Sequence, residues 1–349
     1  AGAGGAMARR SVGRAQGAAA EPLPSKLYLA GGRDRGGRPL DTGERFTPEI
    51  GRPRVNMASG EVTDGVFAKW EPIAQMRQRR FGCAAATAAG HLHVFGGCDG
   101  QRLDASAEAY DNEERRWQAL QAMPEPRAQA AAAAVLDRIY VCGGFGGHAG
   151  ELASVRCFDA AAGAWEDAQI PPLPRPRVDL SLVAIGSMLY AIGGAADGDA
   201  LASVERLNLE PDLAEGEEHA WEQMPPLAEP RRGAAVALVR GAAWVCGGHS
   251  GLACLRSVES YDPRHGGAWV ARAPLKEPRV GASAVLLGDK LYVLGGHNGE
   301  RALASVERYN LSSQEWEETT DMVEPRVCFA AGLLDNSKRD DEQAAEASP

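Results

Sequence analysis

The chain has 349 residues, 44% of them hydrophobic, and a formal net charge of -10. That balance argues against nonspecific nucleic-acid binding, which needs basic surface to displace counterions, and no run of about 18 apolar residues is present to span a membrane. Seven cysteines, an odd number with no Cys-x-x-Cys pair, read as reduced thiols of a cytoplasmic or nuclear protein.

Residues 1–24 are rich in Ala, Gly and Arg, lack the apolar core of a secretory signal, and are expected to be disordered. From Lys26 onward one module recurs six times. An apolar strand runs into a Gly-Gly pair beginning at Gly31, Gly96, Gly143, Gly193, Gly247 and Gly295. A tryptophan follows (Trp70, Trp117, Trp165, Trp221, Trp269, Trp316), then an arginine (Arg80, Arg127, Arg177, Arg231, Arg279, Arg326). A repeat of this length marks a unit that cannot bury its apolar face alone and must stack on its neighbour. From arginine to the next Gly-Gly the spacing is 16 residues in all five countable cases, and from tryptophan to arginine it is 10 except in the third copy, where it is 12. Insertions fall before the tryptophan, at Thr47 to Lys69 in the first copy and Glu210 to Ala220 in the fourth, and are therefore expected at the surface.

The sixth copy shows the strands most clearly. Val280 to Leu287 is one, Gly288-Asp289 a turn, Lys290 to Leu294 a second strand ending in Gly-Gly, Ser305 to Tyr309 a third, and Trp316 opens a fourth. Four antiparallel strands in roughly 48 residues make a propeller blade. Its first strand is poor in bulk, as in Ala131 to Ala134, which suits crowding around a central axis. Aromatic slots repeat too. Tyr28, His93, Tyr140, Tyr190, Trp244 and Tyr292 precede Gly-Gly by three residues, and the third strand carries Phe46, Tyr110, Phe158, Leu207, Tyr261 and Tyr309. After Trp316 the chain adds Arg326 to Asp335, which matches the first strand of a blade and then stops. The first copy lacks that strand, so the C-terminal one should complete it and close a ring of six blades. Residues 336–349 read as an acidic disordered tail.

The Glu277 to Gly299 segment, with its Arg279, Gly295-Gly296 pair and following Ser305 to Asn310 and Trp316, resembles a kelch repeat. Over roughly residues 25 to 333 the chain is most similar to the kelch domains of kelch-like substrate adaptors of cullin ubiquitin ligases. The resemblance implies an all-β, six-bladed kelch propeller over residues 25–335, and a noncatalytic role binding a protein or peptide on one face. It also implies a link to a cullin ligase through a domain such as a BTB module, which is absent from this chain. No cofactor or metal is expected.

In such adaptors, arginines at the positions of Arg80, Arg127, Arg177, Arg231, Arg279 and Arg326 contact acidic or phosphorylated peptides in some blades, and here they are expected to ring one mouth of the channel. The competing reading pairs them with the third-strand glutamates (Glu44, Glu108, Glu205, Glu259, Glu307) or with the Glu of Glu-Pro-Arg, as scaffold. Two further slots line the recognition mouth in the family. Directly after Gly-Gly stand Arg33, Cys98, Phe145, Ala195, His249 and His297; two residues after the arginine stand Gly82, Gln129, Asp179, Gly233, Gly281 and Cys328. Of these, Arg33, Phe145, His249 and His297 have the chemistry of interface anchors. An acidic ligand is one expectation, which Asp179 and the acidic fourth-copy insert oppose.

The alternative is a kelch-type enzyme, either a metal-dependent oxidase or a specifier-like modifying protein. Its candidate ligands are His91 and His93, although His93 occupies the aromatic core slot, and His249 with His297.

Overall fold

The structure, a computed structural model, describes residues 25–48, 54–55, 62–63, 68–210 and 219–335. The expectations for residues 1–24, for the tail 336–349 and for most of the two insertions lie outside the described residues.

Six four-stranded antiparallel sheets follow one another as blades. Each begins with an inner strand: Ala84–Ala88, Ala131–Val135, Ser181–Ile185, Ala235–Val239 and Ser283–Leu287 in blades 2 to 6. Blade 1 takes its inner strand from the other end of the chain. Ala330–Asp335 pairs antiparallel with Ser25–Ala30, with Leu27 opposite Leu333 and Ala30 opposite Ala330. The six inner strands contact one another in an unbroken cycle, so the ring is closed, with no open sheet edge at the join.

The inner strand is shorter than the apolar pattern suggests. Val280 to Ala282 are not part of Ser283–Leu287, because Val280 bridges instead to His297 and Gly281 takes a left-handed conformation at φ 65. These residues carry the chain from one blade to the next.

Gly-Gly is explained by close approach. A Cβ on Gly295 would stand 2.6 Å from the carbonyl oxygen of Arg326, and the residue sits at φ +56, so any side chain would clash with backbone as well as strain the turn. The tryptophans fasten neighbours together. Trp117 Nε1 donates to the Ala74 carbonyl in the preceding blade at 2.8 Å, and Trp316 Nε1 to that of Ala273 at 2.8 Å. The aromatic slots meet across the seams, with ring centroids 5.6 Å apart for Tyr28 and Tyr110, 5.8 Å for Tyr190 and Tyr261, and 5.5 Å for Tyr292 and Phe46. His93 belongs to this set. It is 2% exposed, packs 6.0 Å from Phe158, and burial holds its imidazole pKa down at about 4.

Candidate partner-binding face

The second strand runs into Gly-Gly, and the connection that follows the outer strand carries the recurrent arginine, whose neighbour bridges back to the residue after Gly-Gly, so both segments lie at one end of the ring. The six arginines are nevertheless not part of its surface. Arg80 and Arg326 are 0% exposed and Arg127, Arg177, Arg231 and Arg279 1%. The expectation that their guanidinium groups ring the mouth is therefore corrected: they lie inside the blades, and the scaffold reading describes their surroundings.

Each arginine ties two blades together. The backbone N–H of Arg80 donates to the Leu40 carbonyl and its carbonyl accepts from Gly32, both in blade 1. Its side chain enters blade 2, where Nη1 donates to the Gly96 carbonyl at 2.8 Å and Nη2 meets Glu108 at 2.7 Å. Arg177 pairs with Glu205 at 2.9 Å, Arg231 with Glu259 at 2.6 Å, Arg279 with Glu307 at 3.1 Å and Arg326 with Glu44 at 3.0 Å. The glutamates also accept backbone N–H groups of the inter-blade turn, as Glu108 does from Arg77 and Glu44 from Val323. Buried charges require such ion pairs and hydrogen bonds, here made through the terminal guanidinium nitrogens while Nε of Arg80, Arg127, Arg177 and Arg231 meets no acceptor. Blade 3 shows the rule by its exception. There Arg156 occupies the glutamate's place opposite Val141, and Arg127 pairs instead with Glu125 from the adjoining turn.

What the solvent meets is the layer that differs between blades. Each residue after Gly-Gly is stapled by a two-way backbone bridge to the residue after the arginine that precedes it around the ring: Arg33 to Val327, Cys98 to Phe81, Phe145 to Ala128, Ala195 to Val178, His249 to Arg232 and His297 to Val280. Closer to the axis, Gly82, Gln129, Asp179, Gly233, Gly281 and Cys328 form a closed ring of hydrogen bonds. Gln129 N–H donates to Gly82, Asp179 to Gln129, Gly233 to Asp179, Gly281 to Gly233, Cys328 to Gly281 and Gly82 to Cys328, all at 2.7 to 2.9 Å. All six adopt positive φ, between 51 and 65. This ring rims a cavity of about 130 Å³ that opens onto the alanine-lined channel.

Of the expected anchors, Arg33 is exposed and lies over the Phe81 ring, 3.3 Å from its centroid. Phe145 is 39% exposed. His249 and His297 are partly buried, and each accepts a loop N–H on Nδ1, from Gly251 and Gly299 respectively, both at 3.0 Å. That bond fixes their tautomer and shapes their loops. Ala195 is buried and contributes no side chain to this layer. Asp179 lies at the rim of the cavity. Burial raises its pKa, against the hydrogen bond from Gln129 and the charge of Arg232. Burial also pushes the rim thiols up, Cys83 to about 11 and Cys328 to about 12, which leaves them weak nucleophiles.

Sequence reasoning missed Leu252 and Val323. Leu252 is 96% exposed in the loop after His249, and Val323 is 66% exposed in the turn before Arg326. The available signal was an apolar side chain within a Ser-Gly-Leu-Ala loop, where turn chemistry favours small and polar residues. Charge is unevenly spread. Arg33, Arg35 and Arg38 share the blade 1 loop with Asp34, and Arg79 beside them pairs with Asp41, whereas Glu151, Asp199 and Asp197, the last paired with Arg175, belong to blades 3 and 4. Among the described residues no three His, Cys, Asp or Glu side chains cluster as metal donors, and no helix is long and apolar enough to cross a membrane.

This architecture defines a kelch-type β-propeller. The family model for the KLHDC2/KLHL20/DRC7 Kelch-repeats domain matches residues 10–194 and 82–270, and the Kelch motif matches residues 278–323. The chain belongs to the kelch-repeat family. Over 121 residues it is 36% identical to Kelch-like protein 33 of Homo sapiens, a stretch that covers 34% of this chain and 21% of that protein. Over 124 residues it is 28% identical to Kelch-like protein 36 of Rattus norvegicus and of Mus musculus, covering 34% of this chain and 20% of theirs. These matches thus span about a fifth of the curated relatives. Among solved structures, the one titled "Structure of YjhT" aligns with a TM-score of 0.63 at 16% identity, covering 84% of this chain and 97% of that one, which is a likeness of fold.

Proposed function

We propose that this chain is a noncatalytic interaction module that binds a protein or peptide across the face carrying Arg33, Phe145, His249 and His297, and that it serves as the substrate-recognition domain of a kelch-like ubiquitin-ligase adaptor in the cytoplasm or nucleus. One observation carries the reading: the arginine that repeats in all six blades is buried, while Arg33, Phe145, His249 and His297, which differ from blade to blade at one repeat position, lie together on one solvent-facing rim. A surface that discriminates between ligands needs such variation on a rigid support. Leu252 and Phe145 offer apolar anchors, and the arginines around blade 1 offer charge-assisted bonds to a carboxylate or phosphate. The opposing acidic arc over blades 3 and 4 favours a ligand with an acidic portion toward blade 1 and a basic or neutral portion across the ring. The link to a cullin ligase runs through a domain outside this chain.

Selection from a displayed peptide library tests the reading. Selected peptides should lose at least about tenfold in affinity with Arg33→Glu and with Phe145→Ala, and should be indifferent to Leu136→Ser. Leu136 is 88% exposed in the turn at the opposite end of the blade 3 inner strand. Peptides equally sensitive to the Leu136 variant, or indifferent to both rim variants, would place the interaction elsewhere.

A further inference from the structure

The blades share a cross-strand row that faces the next blade. In blade 1 it reads Tyr28, Arg45, Glu71; in blade 4 Tyr190, Arg206, Glu222; in blade 6 Tyr292, Arg308, Glu317. In each, the arginine stands between the two, ion-paired to the glutamate at 3.0, 2.7 and 2.9 Å respectively and directly opposite the tyrosine on the neighbouring strand. Blade 3 keeps both ends of the row, Tyr140 and Glu166, but has Cys157 between them.

A cavity of about 220 Å³ lies at that place, lined by Tyr140, Cys157, Glu166, Ile170, Leu207 and His219. Several departures from the repeat converge on it. Cys157 is far smaller than arginine, and Leu207 replaces the aromatic ring that the next blade presents at the other seams. Ile170 comes from the lengthened Trp165 to Arg177 connection, and His219 from the end of the fourth-copy insertion. The other two blades without a row arginine are filled differently. In blade 2 the Phe158 ring packs on His93, and in blade 5 Arg272 covers Trp244 and bonds Ser260 Oγ at 2.8 Å.

We propose that this cavity is a receptor site for a guanidinium group, filled by an arginine side chain of a partner polypeptide that completes the Tyr140–Glu166 row as the chain's own arginines do in blades 1, 4 and 6. The apolar wall of Ile170 and Leu207 suits the aliphatic stem, and the Tyr140 hydroxyl and Glu166 carboxylate take the planar head. Arg138 holds Oε1 of Glu166 at 2.8 Å from the solvent side; Oε2 meets no second cation among the described residues. This site is separate from the rim and does not depend on the peptide-binding reading.

The test is an NMR titration at low ionic strength with Nα-acetyl-arginine amide, followed at the Trp221 indole N–H. That group donates at 2.9 Å to the carbonyl of Pro171, on the cavity wall, and Trp117 serves as the distant control. A saturable shift at Trp221 but not at Trp117 is expected, with no binding of the uncharged citrulline analogue. Glu166→Gln should weaken binding at least about tenfold. Cys157→Arg should abolish it by supplying the missing side chain from within, with an equal or higher Tm. Should Cys157→Arg fail to fold, Glu166→Gln and the citrulline analogue carry the test alone. No saturable shift at Trp221, equal binding of citrulline, or unaltered binding to a folded Cys157→Arg variant would overturn the assignment.

Discussion

Arg326 and Arg33 stand one backbone bridge apart, since Arg33 pairs with Val327, yet they live in different solvents. Arg326 is sealed between blades, bonded to the Gly31 carbonyl at 2.8 Å and to Glu44, Glu324 and Thr42. Arg33 is exposed over the face of Phe81. The first has a counterpart in every blade and the second in none. On this face, repetition therefore marks what joins one blade to the next, and deviation marks what each blade offers to the outside.

The most severe way to break that division is to open the ring. Deleting residues 330–349 removes the inner strand of blade 1 and exposes Leu27 and Leu29, both 0% exposed in the closed ring. Loss of a cooperative melt and association on size-exclusion chromatography are expected, since stability of about 5–15 kcal/mol leaves no reserve for a lost strand and an open edge. Next comes the buried ion-pair layer. Arg326→Ala should cost about 3–5 kcal/mol in urea denaturation, because it strands Glu44 without its cation. A cost below about 1 kcal/mol would show that the layer contributes little to stability.

Acid provides a milder probe. An unfolded histidine takes its proton as pH falls through about 6.5, whereas His93 in the fold resists until about 4. Between those values the unfolded state binds more protons, so the stability tied to neutral His93 is complete above pH 6.5 and drains away as pH falls toward 4. The loss is on the order of 2–3 kcal/mol. His93→Tyr, which restores the aromatic of most other blades, should flatten the change in Tm between pH 6.5 and 4.5 relative to the wild type. The smallest effect on stability belongs to the rim. Arg33→Ala and Phe145→Ala should shift unfolding by less than about 0.5 kcal/mol, while Phe145→Ala costs about 2 kcal/mol in partner binding.

Much of the fold was legible because its signals are local and repeated six times. Gly-Gly, the tryptophan and the short alternating strands state their own geometry, and an unmatched strand at each end implies closure. The arginines were legible as a class but not in their placement. A glutamate recurs 28 residues after Arg80, Arg177, Arg231 and Arg279, so an ion pair was on offer, but a recurrent arginine in a turn is equally compatible with a ring of ligands. Burial decided between them, and burial depends on how the next blade covers the side chain. Leu252 escaped notice for the converse reason: an apolar residue in a loop is silent until its 96% exposure is seen.

The sequence by itself determined the number of blades, the strands within them and the joining of the two ends, because each follows from the period and from backbone demands that only glycine or a strand-forming run can meet. The tertiary structure alone decided which arginines are inside, and that Cys157, Leu207, Ile170 and His219 share one cavity. Those facts arise across seams between blades, where residues distant in the chain either fill one another's space or leave it open.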